Sequence, residues 1–185
     1  DIRELGTEQL MSRLSMVFQD VYLFDDSLIA NIRVGRPDAS DEEVFRAADL
    51  SGVTSIANRL GWHTPVGEGG RLLSGGERQR VSVARALLKQ APIVLFDEAT
   101  SALDAENEAN ILAAMDELRE QSTFIVIAHK LDTIKSADQI VVLDEHGQVS
   151  QLGTHSELSD VPGIYRHFWQ QRKAASGWKI SSGRD

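Results

Sequence analysis

"RLLSGGERQRVSVARALLKQAPIVLFDEATSALD" occupies residues 71–104 and fixes the order of the elements around it. Near its start come Ser74, Gly75 and Gly76, followed by Val81, Ala84, Leu87 and Leu88 at helical spacing. Pro92 ends that pattern, and the apolar run at 93–96 reads as a buried strand. The strand releases two adjacent carboxylates, Asp97 and Glu98, at its carboxyl end. An unpaired charge at that place is costly, so the pair is expected to meet a metal ion, a phosphate or an attacking water. Ahead of the helix, Ser-Gly-Gly offers backbone N–H groups, a hydroxyl and the positive end of the helix dipole to an anion. Alone, the same residues are better described as a simple Ser-capped helix after a glycine turn.

Working outward, helical and strand patterns alternate. "SDEEVFRAADL" carries Ser40 and Glu43 in capping-box spacing, with Val44, Ala47 and Ala48 on one face. "TSIANRLG" reads as a short helix stopped by Gly61. An apolar strand is expected around residues 15–18, a long amphipathic helix at 105–121 and a second buried strand in "TFIVIA". "QIVVLDEHGQVSQLG" reads as a hairpin turning across residues 145–147. Short helices in "HSELSD" and "IYRHFWQQRKAA" precede a loose tail, "SGWKISSGRD". The alternation predicts an α/β domain with a mainly parallel sheet.

Composition narrows the function classes. The 185 residues, 42% hydrophobic and 25% charged, suit one soluble globular core. A formal net charge of -9 argues against a broad grip on a phosphate backbone. With 0 cysteines there is no disulfide and no thiolate metal site, in keeping with a reducing compartment. No apolar run approaches the roughly 18 residues that a membrane-spanning helix needs, so any membrane role is indirect. His63, His146, His155 and His167 lack metal-ligand spacing and read as surface residues.

Taken together, the motifs resemble those of ATP-binding cassette (ABC) proteins, in the family's order and over about residues 1–160. "VFQD" is similar to the Q-loop, "LSGGERQR" to the signature, "IVLFDE" to Walker B, "SALD" to the D-loop and "IAHK" to the switch-histidine region. The resemblance implies a P-loop NTPase-like α/β fold, a mainly parallel sheet with helices on both faces, plus a helical signature subdomain. It further implies a partial nucleotide-binding domain at 1–172 and a tail at 173–185. Within the domain, about 20–90 would hold the Q-loop, helical subdomain and signature helix, and about 91–160 the Walker B, D-loop and switch-histidine core.

The implied cofactors are ATP and Mg²⁺. Asp97 and Gln19 would hold the metal, while Glu98, His129 and Gln19 would serve the hydrolytic step. Ser74, Gly75, Gly76, Glu77, Gln79 and Asp104 would form the nucleotide-binding set, acting across a dimer of two such domains. No GxxxxGK[ST] phosphate loop is present. The chain lacks an initiating Met and is expected to be a piece of a longer one, with that loop shortly upstream. By itself it is expected to fold poorly and to turn over no ATP.

"VGEGG" before the signature, with Glu68 at its centre, and "GTHSEL" resemble exporter-type cassettes. In these, the first segment touches a transmembrane permease and the ATPase sits at the cytoplasmic face of the inner membrane. "YRHFWQQRKAASGWKI" resembles tails of a siderophore-handling branch. Two other readings stay open. A DNA-repair cassette would need a coiled-coil or zinc insertion between signature and Walker B, where this chain runs straight through. An interaction-only fragment would act through its dimer or permease interface without its own nucleotide clamp.

Overall fold

The computed structural model describes residues 1–97, 114, 116–119, 122–127 and 134–177. These fall into two units, Asp1–Ile127 and Ala128–Asp185.

In the first unit the order is α1 (Thr7–Arg13), β1 (Leu14–Val17), α2 (Leu28–Arg33), α3 (Asp41–Leu50), α4 (Thr54–Leu60), α5 (Gly75–Lys89), β2 (Ile93–Asp97) and β3 (Thr123–Ile127). Short 3-10 turns cover Ile2–Glu4 and Glu68–Gly70. Capping chemistry places the main helices. Ser40 Oγ accepts from Glu43 N–H, and the Glu43 carboxylate accepts from Ser40 N–H, so two orphan donors of α3 are satisfied. Gly61, at φ 94°, closes α4 in a conformation that side chains resist. The end of α5 differs from the expectation built on Pro92. Gln90 enters the left-handed region at φ 52°, and its N–H still reaches Ala86 O, so the helix stops before proline is reached.

The three strands form a parallel sheet in the order β1-β2-β3. Val17 stands beside Phe96, and Phe96 beside Val126. Val17, Val94 and Phe96 are buried and join one apolar cluster with Val81, Val83, Leu87 and Leu88 of α5 and Ile32 of α2. At about 25 cal/mol per Å² of apolar surface, this contact is the main force holding α5 to the sheet. On the alternate positions Met16, Ile125 and Ile127 are exposed. The expectation of a buried strand at "TFIVIA" is therefore corrected. Among the described residues β3 pairs on one side only, and its residues are alternately exposed and half-buried. Of the long helix expected at 105–121, residues 114 and 116–119 are described and helical, with Ala114 and Leu118 in the core. The rest lies outside the described residues.

One close approach ties the chain just after α2 to α5. A Cβ built on Gly35 would lie 2.3 Å from the backbone oxygen of Arg85, in the third turn of α5. Backbone cannot swing aside as a flexible side chain can. Gly35→Ala is thus expected to destabilise the unit by about 1–3 kcal/mol, the usual range for overpacking. The check is the denaturant midpoint at constant slope. An unchanged midpoint would mean that this contact opens freely.

The second unit contains the hairpin β4 (Ile140–Leu143) and β5 (Val149–Gly153), then α6 (His155–Asp160) and α7 (Ile164–Gly177). The hairpin turn is where the sequence placed it. Gly147 has φ 73°, and Asp144 Oδ1 accepts from the N–H groups of His146 and Gln148, each at 2.9 Å. Helix α7 continues past the 172/173 boundary expected between domain and tail. His63, His146 and His167 are exposed as expected, but His155 is half-buried. Its Nδ1 lies 2.8 Å from Tyr165 Oη and its ring packs 4.2 Å from that of Trp169, so its reading as a surface residue is corrected.

Candidate active site

Parallel strands bring their carboxyl ends to one edge, where ligands of α/β sheets are bound. Here β2 ends on Asp97, which is half-buried. Neighbouring β1 ends on Val17, and Gln19 follows two residues later, exposed. The sheet thus brings a carboxylate and a neutral amide to the same edge. Among the described residues no group of three or more His, Asp or Glu could hold a metal by itself. A sparse carboxylate-and-amide set suits Mg²⁺, which keeps several waters and shares its coordination with substrate phosphates. Glu98, Asp104 and His129 lie outside the described residues.

The start of α5 is built to a different plan. Ser74 Oγ accepts from Glu77 N–H at 3.2 Å, and Glu77 Oε2 accepts from Ser74 N–H at 2.8 Å. This reciprocal pair holds the serine hydroxyl at the mouth of the helix. The next N–H groups, of Gly75 and Gly76, belong to the first turn and have no carbonyl within the helix to meet. Space remains in front of Gly75. A Cβ on Gly75 would meet nothing closer than Arg78 Nη2 at 4.0 Å. An anion could therefore approach the amides and the positive end of a 15-residue helix. The described residues fit the phosphate part of ATP on this ground.

Glu77 and Gln79 are held by the chain itself. Burial alone would push the Glu77 carboxyl up, but hydrogen bonds from Ser74 N–H and from the Arg59 guanidinium, with the latter's charge, hold it below the usual carboxylate range. Arg59 comes from the last turn of α4 and pairs with Glu77 Oε1. Gln79 is buried, and its Nε2 donates to Phe18 O at 3.3 Å. Its amide therefore links α5 to the backbone just before Gln19, rather than joining the open helix start.

A second link runs deeper. Asn31 is fully buried on α2, and its Oδ1 accepts from Phe24 N–H at 2.9 Å and from Arg85 Nη2 at 2.7 Å. Its Nδ2 donates to the carbonyls of Phe24, Asp26 and Ser27. Arg85 also donates to Asn31 O at 2.7 Å and Tyr22 O at 2.9 Å. Burial draws the Arg85 guanidinium down to about 10, so it still carries its charge at neutral pH. The loop after Gln19 is thereby fastened to the middle of α5.

Sequence reasoning missed Arg59, Asn31 and Arg85. A signal existed for two of them: Asn31 interrupts the apolar run "LIANI", and Arg85 sits among Val81, Ala84 and Leu88. A polar residue on an apolar helical face needs a partner. Arg59 left no such mark.

A parallel sheet ending on an acid, beside a glycine-started helix in the chain order read above, is the arrangement that the resemblance to nucleotide-binding cassettes implies. Residues 1–101 match the family model described as ABC transporter, and the chain belongs to that family. It is 47% identical over 167 residues to the ATP-dependent lipid A-core flippase of Neisseria meningitidis serogroup A / serotype 4A, covering 89% of this chain and 27% of that protein. Mycobactin import ATP-binding/permease protein IrtB of Mycolicibacterium thermoresistibile is 46% identical over 184 residues, 98% of this chain and 32% of that one. A solved bacterial Atm1-family ABC exporter with ATP bound superposes with a TM-score of 0.88 at 43% identity, over 97% of this chain and 31% of its own. The chain thus spans about a third or less of the length of these relatives. The likeness bears out the α/β fold with a parallel sheet and helices on both faces.

Proposed function

We propose that this chain is part of the nucleotide-binding domain of an exporter-type ABC transporter and that the complete domain hydrolyses ATP to drive transport. Residues 1–172 would belong to that domain and 173–185 to its tail. Asp97 would hold Mg²⁺, through water, with Gln19 touching the ion or the attacking water and withdrawing as its loop moves. Glu98 would orient or deprotonate that water, His129 would contact the γ-phosphate, and Asp104 would reach across the dimer. When bound, the metal neutralises charge on the transferring phosphoryl group. Ser74, Gly75 and Gly76 would close on the nucleotide held by a second domain. The open, capped start of α5 carries this reading, because it presents anion-binding groups with space in front of Gly75. The partners are a second nucleotide-binding domain and a transmembrane permease, at the cytoplasmic face of the membrane. No helix among the described residues is long and apolar enough to cross a membrane.

For the cargo, the siderophore-handling branch rests on the likeness of "YRHFWQQRKAASGWKI" to tails of that branch, and a mycobactin importer is among the relatives matched.

The test is a mixed dimer of the intact transporter. Gly75→Asp in one subunit and Glu98→Gln in the other place both lesions in one composite site, leaving the second whole. Roughly half of the turnover should survive if the two sites are equivalent. Both lesions in one subunit damage opposite sites, and turnover should fall close to background. Equal behaviour of the two arrangements in a symmetric transporter would overturn the assignment of residues 74–76 to the partner's nucleotide.

A further inference from the structure

We propose that Arg59 is a positioning residue that makes the start of α5 receptive to a nucleotide phosphate by neutralising the carboxylate of Glu77. The inference rests on the reading above, in which residues 74–76 meet a phosphate.

The capping box of α5 has a consequence for any anion arriving there. It uses a glutamate, so a negative charge stands in the same helical turn as the amides of Gly75 and Gly76. That charge suits the helix dipole when the site is empty and repels a phosphate when it fills. It cannot turn away. Glu77 Oε2 is tied to Ser74 N–H, Oε1 is tied to Arg59, and only 17% of the side chain is exposed. The carboxylate is fixed beside the anion path, and its local counter-charge is the Arg59 guanidinium.

Stability alone explains the pair poorly. The Arg59 side chain is 53% exposed, and ion pairs with an exposed member contribute little to folding. A capping box works with glutamine as well as glutamate, because the reciprocal bond needs only a side-chain oxygen. An amide at position 77 would cap α5 with no need of Arg59. The arginine is required by the charge, and the charge matters when a second anion approaches.

The two residues can be tested in a crossed design. In the intact transporter, the ATP concentration for half-maximal turnover is measured for Arg59→Ala in the parent and in the Glu77→Gln background. In the parent, Arg59→Ala should raise it about tenfold, with maximal turnover changed less than about threefold, as expected when a partly solvated charge near an anion loses its counter-ion. In the Glu77→Gln background the same substitution should shift it less than about twofold, because no charge is left to neutralise. The parental rise should shrink as salt goes from about 50 to 300 mM. Arg59→Lys should keep most of the parental affinity. Arg59→Gln, which retains much of the stem, should reproduce Arg59→Ala and serves if the alanine variant folds poorly.

An equal rise in both backgrounds, or none in the parent, overturns the proposal. Gly75→Asp separates this failure from that of the underlying reading. If Gly75→Asp abolishes nucleotide-driven dimer closure while Arg59 behaves as just stated, only the role of Arg59 is lost. If Gly75→Asp has no effect on closure, both readings fall.

Discussion

Glu98→Gln, made in the full-length polypeptide, is expected to lower ATP turnover by about a hundredfold or more while the ATP-bound dimer persists. The amide keeps the size of the carboxylate and can still accept a hydrogen bond from water. It cannot take the proton that water must lose as it attacks phosphorus. Asp97, one residue earlier at the end of β2, keeps its charge, so binding of the nucleotide and its metal should survive. Glu98 follows a strand whose inward side chains Val94 and Phe96 are buried, so the strand holds the sheet edge whatever follows it. The measurement is single-turnover hydrolysis together with retention of ATP on the dimer during gel filtration. A variant that loses nucleotide binding but hydrolyses each bound ATP at the parental rate would place the catalytic carboxylate elsewhere.

Asn31→Ala is expected to cost the fold more than any surface change. The side chain is fully buried and serves five partners: the N–H and C=O of Phe24, the carbonyls of Asp26 and Ser27, and Arg85. Each buried polar group left without a partner costs about 1–3 kcal/mol, and more for a charged one. Arg85 keeps its bonds to the backbone oxygens of Asn31 and Tyr22, and the three carbonyls keep backbone donors, so Phe24 N–H and Arg85 Nη2 are the groups left without a partner and a total of about 2–4 kcal/mol is expected. Asn31→Asp is the sharper control. It preserves the acceptor facing Phe24 N–H and Arg85, but replaces the donor with an oxygen facing three carbonyls. It should also destabilise, despite adding a negative charge beside an arginine. Denaturant midpoints of both variants, read at constant slope, check this. A stabilising Asn31→Asp would mean that the ion pair outweighs the lost donor, and that the clamp is held by charge rather than by hydrogen-bond geometry.

What could be read in the sequence is local. Ser40 with Glu43, Gly61 after Leu60, and the turn at Gly147 announce themselves because a cap or a left-handed residue acts within four positions. The buried face of α5 was legible for the same reason, since its spacing is the helix period. What escaped depends on residues distant in the chain. "TFIVIA" is apolar enough to be buried, yet exposure is decided by its neighbours, and Ile125 and Ile127 stay accessible. Arg85 and Asn31 stand 54 positions apart, and Arg59 and Glu77 stand 18 apart. No local period links them. The candidate site followed the same rule. Asp97 at a strand end and residues 74–76 at a helix start could be placed from the chain. That Gln79 points inward to Phe18 O could not, because the residue type fits either direction.

The pairing of β1 with β2 also sets a clock on biosynthesis. Val17 leaves the ribosome long before Ile93, and its pairing with β2 must wait until β2 emerges. At roughly 5–20 residues per second, that interval is about 4–15 s. During it, helices α2 to α5 can gather through shorter-range contacts, which form quickly. Met16 and, just beyond it, Phe18 are exposed even in the folded unit. Translation speed between Val17 and Ile93 sets how long this one pairing waits.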